Sequence, residues 1–322
     1  MNIMVTGIAG FIGFHCAQRL LNEGHRVLGI DNLNDYYAPA LKEARLQRLQ
    51  RFEKLSFEKL DLCNGEALSD RFAKFRPDRV LHLAGQVGVR YSLEHPHAYA
   101  QSNVVGTLNL LECCRHHGRP RLVYASSSSV YGGNTKLPFS ESDSVDHPIS
   151  LYAATKKSTE LMAHAYTHLY GFSTVGLRFF TVYGPWGRPD MAVWLFTKAI
   201  LQGAPIKVFN QGKMSRDFTY IDDIIAGVHA ALFSEDLEPY EIFNLGNHQS
   251  QSLDDLIECI ESACGREAKR EFQPLQDGDM VDTFADIERA RAKLKFEPSV
   301  PLKVGVPRFV SWLLANPEFQ TL

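Results

Sequence analysis

Short apolar runs alternate with longer amphipathic stretches through the first half of the chain. NIMVTG, RVLGID, SFEKLD, RVLHLAG, RLVYASS and STVGLRFF have the length and composition of buried strands, and the segments between them carry helix-like spacing. This alternation predicts βαβ units and therefore an α/β fold with a parallel sheet covered on both faces. After residue 178 the rhythm loosens. Short strands in IKVFN and EIFNLGN mix with helices at about 221–233, 252–264 and 286–295, interrupted by the turns GPWGRPD and QPLQDGD. The pattern divides the chain into a first domain over 1–177, to which 219–245 returns, and a smaller α/β lobe made of 178–218 and 246–322.

Composition narrows the classes of partner. With 322 residues, 45% hydrophobic, 22% charged and a formal net charge of -3, the chain has no long single-sign run, which argues against nucleic acid or an anionic membrane as partner. No apolar segment approaches the ~20 residues of a spanning helix, and MNIMVTG enters the first strand without a signal-peptide pattern, so a cytoplasmic location is expected. Cysteines 16, 63, 113, 114, 259 and 264 form no Cys-x-x-Cys pair and have no His at ligand spacing, which speaks for reduced packing residues and against a metal site. In LKEARLQRLQRFEKL, Lys42, Arg45, Arg48, Arg51 and Lys54 recur every three residues and read as one solvated basic helix face.

The first candidate chemistry lies at the end of the first strand. TGIAGFIG places Gly7, Gly10 and Gly13 at a strand-to-helix junction, where small residues let a pyrophosphate approach the backbone and the helix N-terminus. The second strand ends in Asp31, whose carboxylate can accept both ribose hydroxyls and repel a 2'-phosphate, favouring NAD over NADP. The fold expected is thus a Rossmann-like doubly wound sheet.

Downstream, SLYAATKK holds Tyr152 and Lys156, four apart and so on one helix face, after Ser127 in SSSSVYG. This order, with HLAGQ, SNVVGT, LRFF and RDFTYIDD in sequence, resembles the extended short-chain dehydrogenase/reductase family over nearly the whole chain. Tyrosine ordinarily titrates near 10, so a tyrosine base needs nearby cations, which Lys156 and an oxidised nicotinamide ring provide. Ser127, at the carboxyl end of a strand, can share a hydrogen bond with the reacting oxygen of the substrate, and Ser129 is a second candidate hydroxyl. The resemblance further implies cofactor contacts at Phe11, Ile12, Asn32, Asp61, Leu62, Leu83, Ala84, Gln86 and Asn103, the last also structural.

Relatives in the nucleotide-sugar branch of this family begin by oxidising carbon 4. Those that eliminate water carry Thr-Asp-Glu before Val-Tyr-Gly, and those that decarboxylate carry Glu as the last residue there. This chain has Ser127-Ser128-Ser129, with hydroxyls but no carboxyl group for proton chemistry at carbons 5 and 6. The triplet suits an enzyme that removes a hydride and returns it to the other face. DNLNDYY, GQVGVRYS, SLYAATKK and LRFFTVYGPWGRPDM together resemble the UDP-glucuronate 4-epimerase branch, where galactose epimerases usually carry Asn in place of Thr181.

The resemblance assigns Thr181 and Arg188 to the sugar carboxylate, with Arg90 a weaker candidate; pairing of Arg188 with Asp190 is its alternative role. It assigns Arg216 to the diphosphate, Lys207 and Phe209 to the uracil, and Asp279 to the ribose, while Gln276 stands where some relatives have arginine. It also implies a homodimer through helices at about 96–116 and 151–170, with Leu108, Leu111, Leu161 and Ala165 among their apolar positions. Competing readings are a UDP-glucose/UDP-galactose 4-epimerase, a UDP-glucuronate decarboxylase and a nicotinamide-sensing binding protein. A sensor is expected to have lost Tyr152 or Lys156, and both are present.

Overall fold

The computed structural model describes residues 1–276, 278 and 280–322; Asp279 lies outside them. The six apolar runs form β1 (Asn2–Thr6), β2 (Arg26–Asp31), β3 (Leu55–Lys59), β4 (Arg79–His82), β5 (Arg121–Ser127) and β6 (Thr174–Phe179). With the strand Tyr240–Leu245 they make a seven-stranded parallel sheet whose spatial order is Tyr240–Leu245, β6, β5, β4, β1, β2, β3. Ile3, Met4 and Val5 are fully buried, as expected for a central strand covered on both faces. Chain order reverses at β1, which pairs with β2 on one side and β4 on the other. The crevice beyond the carboxyl ends of these strands is where such folds bind ligands.

The segment after residue 218 rejoins this sheet. Tyr240 pairs with Thr174 and Leu245 with Phe179, while the helix Ile221–Phe233 packs on α1 (Phe11–Asn22). Away from the sheet, Phe218–Tyr220 pairs with Thr181–Tyr183, and Pro205–Phe209 pairs with Lys269–Gln273. The helix Leu253–Cys264 starts at a capping box, in which Ser252 and Asp255 bond each other's backbone N–H groups. The helix foreseen at 286–295 spans Glu288–Leu294.

A buried ionic network sets the helix Leu151–Tyr170 against the sheet. Glu160 on that helix accepts Nε and Nη2 of Arg178 at 2.8 and 2.9 Å and the Ser126 hydroxyl at 2.6 Å. Nη1 of Arg178 donates to Tyr131 at 3.0 Å, and the Tyr131 hydroxyl donates to Asn244 at 2.6 Å. Both charges are buried, so the bidentate geometry and the added hydroxyls are what offset their desolvation. The network joins β5, β6 and Tyr240–Leu245 to the helix that carries Tyr152 and Lys156. The other long helical run, 96–116, contains a π-turn over Ala100–Val105 between Pro96–Tyr99 and Gly106–His116. Such turns are frequent at functional sites.

The basic stripe is solvated only in part: Arg48, Arg51 and Lys54 are exposed, the last two beyond the end of the helix, whereas Lys42 and Arg45 are not. In α2 (Pro39–Leu49), Lys42 is 5% exposed and Arg45 0%. Lys42 donates to the Asn34 carbonyl at 2.5 Å and to its side-chain oxygen at 2.6 Å, and Arg45 is enclosed by backbone carbonyls. Arg48 does reach solvent, with its guanidinium 4.7 Å from the Trp186 ring centroid. Helical spacing identified the shared face, but loops from elsewhere in the chain cover part of it. Of the six unpaired cysteines, Cys16, Cys113 and Cys114 are buried and the other three partly so. Among the described residues, no helix is long and apolar enough to cross a membrane.

Candidate active site

The glycines open one end of the crevice. Gly7 has φ +72°, and a Cβ there would lie 2.6 Å from the Ala84 nitrogen; one at Gly13 would lie 2.1 Å from the Gly7 carbonyl oxygen. Only glycine permits this approach of the β1 loop to α1, which leaves the helix N-terminus facing the cleft. Gly7, Gly10, Phe11, Ile12 and Gly13 all line it. Asp31 is fixed at its far side, accepting the Ala9 N–H at 3.0 Å and the Leu33 N–H at 2.9 Å. Asn32 donates to Asp61 at 2.9 Å, and both residues border the cleft with Leu62, Leu83, Ala84 and Gln86. A cradle that a Cβ would fill, a helix N-terminus and an acid at the end of the second strand fit an NAD molecule.

Asn103 stands behind this wall and does not line it. Its side-chain oxygen accepts the Gln86 N–H at 2.7 Å, while its amide donates to the Gln86 carbonyl and to Thr155, each at 3.0 Å. It joins the loop after β4 to the helix that carries Tyr152 and Lys156.

At the middle of the cleft β5 ends in Ser127, and Ser128 and Ser129 follow in a short 3-10 turn over Ser128–Tyr131. The Ser129 N–H donates to the Ser127 hydroxyl oxygen at 3.2 Å. Ser150 caps the facing helix by accepting the Ala153 N–H at 3.2 Å, setting Tyr152 and Lys156 in its first two turns. Burial raises the Tyr152 pKa, opposed by the nearby Ser127 hydroxyl and by the charge of Arg188. Lys156 donates to the Ala125 carbonyl at 2.9 Å, and burial lowers its pKa to about 8.

That depression has a measurable consequence. In cofactor-free protein, the unfolded chain binds more protons than the folded one between pH ~8 and the ordinary lysine value of 10.5, so this group makes stability rise with pH across the window. Its cost is fully present below ~8 and gone above 10.5. Lys156→Met removes the cost, so melting curves of the variant and the parent are expected to shift relative to each other in the parent's favour from pH 8 to 10.5. A pH-independent difference would count against the buried ammonium.

Thr181 and Arg188 line the same cleft as Tyr152. Arg188 donates from Nε and Nη2 to the Asp190 carboxylate at 3.0 and 2.6 Å, and the Tyr36 hydroxyl donates to Asp190 at 2.9 Å. Burial pulls the Arg188 pKa down, but Asp190 outweighs it and leaves the guanidinium firmly cationic. Arg188 therefore has both features considered from sequence: it borders the cavity and it pairs with Asp190. Arg90 follows Val89 of the cleft wall. Its guanidinium lies 4.5 Å from the Phe209 ring centroid, on the strand Pro205–Phe209 where Lys207 is exposed. Arg216 donates to the Met280 and Val281 carbonyls at 2.6 and 2.7 Å.

Tyr36, Asn34, Lys42 and Met191 also border the cleft and escaped sequence reasoning as site residues. Tyr36 lies in DNLNDYY and Asp190 in GPWGRPDM, but their contact spans 154 residues of chain. A tyrosine and a carboxylate in two loops carry no spacing signal for each other.

Comparison with known proteins agrees with this geometry. The chain is 52% identical to an uncharacterized 37.6 kDa protein of Escherichia coli O111:H-, over 97% of this chain and 98% of that one. It is 46% identical to a probable UDP-glucuronate 4-epimerase of Rhizobium meliloti, over 98% of both. The crystal structure of UDP-glucuronic acid 4-epimerase from Bacillus cereus, in complex with UDP-glucuronic acid and NAD, superposes with a TM-score of 0.91 at 36% identity, covering 98% of this chain and all of that one. A family model matches residues 3–246. By that match and by its relatives, the chain belongs to the NAD dependent epimerase/dehydratase family.

Proposed function

We propose that the protein is a UDP-glucuronate 4-epimerase that interconverts UDP-glucuronate and UDP-galacturonate without decarboxylation. The observation that carries this reading is one cleft holding Tyr152, Lys156 and Ser127, a serine triplet without a carboxyl group, and Thr181 and Arg188 at the substrate end. The names and bound molecules of the Rhizobium meliloti and Bacillus cereus proteins support it. NAD, held by the glycine loop and Asp31, would supply a reversible hydride acceptor for carbon 4, so that no reductant would be consumed.

The chain's residues do the rest. Tyr152 takes the proton of the 4-hydroxyl, helped by Ser127 and the charge of Arg188, and Lys156 one helical turn along is the second cation for the phenolate. The 4-keto sugar turns about its diphosphate linkage, exposing its other face, and Tyr152 returns the proton. That intermediate is a β-keto acid, which loses carbon dioxide when its carboxylate stands perpendicular to the carbonyl plane. Thr181 and Arg188 hold the carboxylate out of that alignment. Nε and Nη2 of Arg188 face Asp190, which leaves its Nη1 side for the substrate. In the lobe of 178–218 and 246–322, Arg216, Lys207 and Phe209 serve the UDP portion. The Arg188–Asp190 pair also gives a specific reason to keep a second reading, UDP-glucose/UDP-galactose 4-epimerisation, because Asp190 cancels the charge a uronate would seek.

NMR of products formed from UDP-glucuronate tests the proposal, with UDP-galacturonate as the expected product and near-stoichiometric NAD released on denaturation. Turnover confined to UDP-glucose, or net consumption of a nicotinamide, would reject it. We also propose a homodimer through the helices of 96–116 and Leu151–Tyr170. Leu108, Leu161 and Leu169 are exposed there, whereas Leu111 is buried in the protomer. Sedimentation at micromolar concentration is expected to give twice the chain mass, and a fully active monomer would refute the dimer.

A further inference from the structure

Three successive carbonyls just before Arg188 are held by side chains of the first two helices. Nε2 of His15, on α1, donates to the Pro185 carbonyl at 2.9 Å. Nη2 of Arg45, on α2, donates to the Trp186 carbonyl at 2.7 Å and to the Gly187 carbonyl at 2.9 Å. Nη1 of the same arginine donates to the Ala9 carbonyl at 2.8 Å, inside the glycine loop, and to the Tyr37 hydroxyl at 2.6 Å. One guanidinium thus touches the loop that faces the pyrophosphate, the loop that follows Asp31 and the loop that carries Arg188.

The cost of this arrangement says that it is specified. Arg45 is fully buried, and the groups that receive its hydrogen bonds are carbonyls and a phenol, so its charge is met at contact by dipoles, with the Asp31 carboxylate acting on it without a hydrogen bond. Its Nε is buried with no hydrogen-bond partner among the described residues. Trp186 has φ +62°, a left-handed conformation that a bulky residue holds only when its surroundings impose it. His15, kept neutral by burial at a pKa of about 4, bonds one side of that turn, and Arg45 the other.

We propose that Arg45 is a positioning residue for the sugar carboxylate, fixing the Arg188 loop to the glycine loop so that Arg188 keeps a set distance from the bound cofactor. This rests on the reading that Arg188 meets the carboxylate. The planar fork of arginine bonds two carbonyls from one nitrogen and reaches another loop with the second nitrogen, which a lysine ammonium cannot do. Charge alone is therefore insufficient, and Arg45→Lys is the deciding variant because it keeps the charge and most of the bulk.

The test compares NAD-loaded parent, Arg45→Lys, Arg188→Ala and the double variant. Amide hydrogen exchange in residues 184–191 is expected to quicken at least tenfold in Arg45→Lys, with the sheet strands unchanged. KM for UDP-glucuronate should rise about tenfold while kcat falls less than threefold, and KM for UDP-glucose should stay within twofold. Added to Arg188→Ala, Arg45→Lys should change UDP-glucuronate kinetics by less than twofold, since both act through one group. Unchanged exchange in 184–191 overturns the proposal. So does an equal loss on both sugars, or global melting of Arg45→Lys, each of which marks Arg45 as structural only. If the parent turns over UDP-glucose alone, the uronate reading falls by itself, and exchange in 184–191 still decides whether Arg45 holds the loop.

Discussion

Tyr152→Phe is expected to lower turnover by about 10²–10⁴-fold, the range typical of a lost general acid–base group, while NAD content stays close to that of the parent. The ring is buried against Tyr99, their centroids 6.0 Å apart, so phenylalanine retains the packing and loses only the proton carrier. Burial already raises the Tyr152 pKa, which means that the phenolate must be created by its neighbours. Ser127 and the charge of Arg188 act in that direction within this cleft, and Lys156 is held one helical turn away by the Ala125 carbonyl. Single-turnover measurements with UDP-glucuronate separate this chemical step from binding. Near-parental turnover in Tyr152→Phe would remove the base assignment and leave Ser127 as the next candidate.

The parallel sheet was legible because its central strands are buried on both faces. Runs such as IMV and VLGI are too short for a buried helix, are bounded by turns and carry no charge to place outside. The glycine loop and Asp31 were legible for a similar reason: backbone approach and a fixed acid demand particular residue types at short spacing. The stripe of α2 shows where this ends. Periodicity reported that Lys42 and Arg45 share a face, but the carbonyls that make that face a buried cation site come from Ala9, Trp186 and Gly187. Nor does the sequence announce the π-turn at Ala100–Val105 or the Tyr131–Asn244 bond, which depend on contacts between distant segments. Residues chosen for their own chemistry could be read, whereas residues chosen for what folds over them could not.

Arg188→Ala is expected to lower kcat/KM for UDP-glucuronate by roughly 10- to 150-fold, the equivalent of one charge-assisted hydrogen bond of about 1.5–3 kcal/mol. UDP-glucose turnover should fall less, by the loss of the Arg188 charge that favours the Tyr152 phenolate alone, because a neutral hexose never made that bond. The variant also leaves Asp190 without the guanidinium, so a carboxylate held by the Tyr36 hydroxyl would remain at the substrate end. Its negative charge then opposes the uronate, which places the expected loss toward the upper end of the range. The Arg188→Ala, Asp190→Asn double variant removes this repulsion and should recover part of the loss, though not the parental rate. Control of the intermediate gives a second readout. With Arg188 gone, the carboxylate of the 4-keto acid is free to turn perpendicular to the ketone, and carbon dioxide with a UDP-4-keto-pentose should appear as a side product that the parent forms rarely. Coupled detection of carbon dioxide and NMR of the sugar products measure the partition. Equal losses on uronate and hexose, with no decarboxylation, would make Arg188 a structural member of its loop, paired with Asp190 and without a role in choosing the sugar.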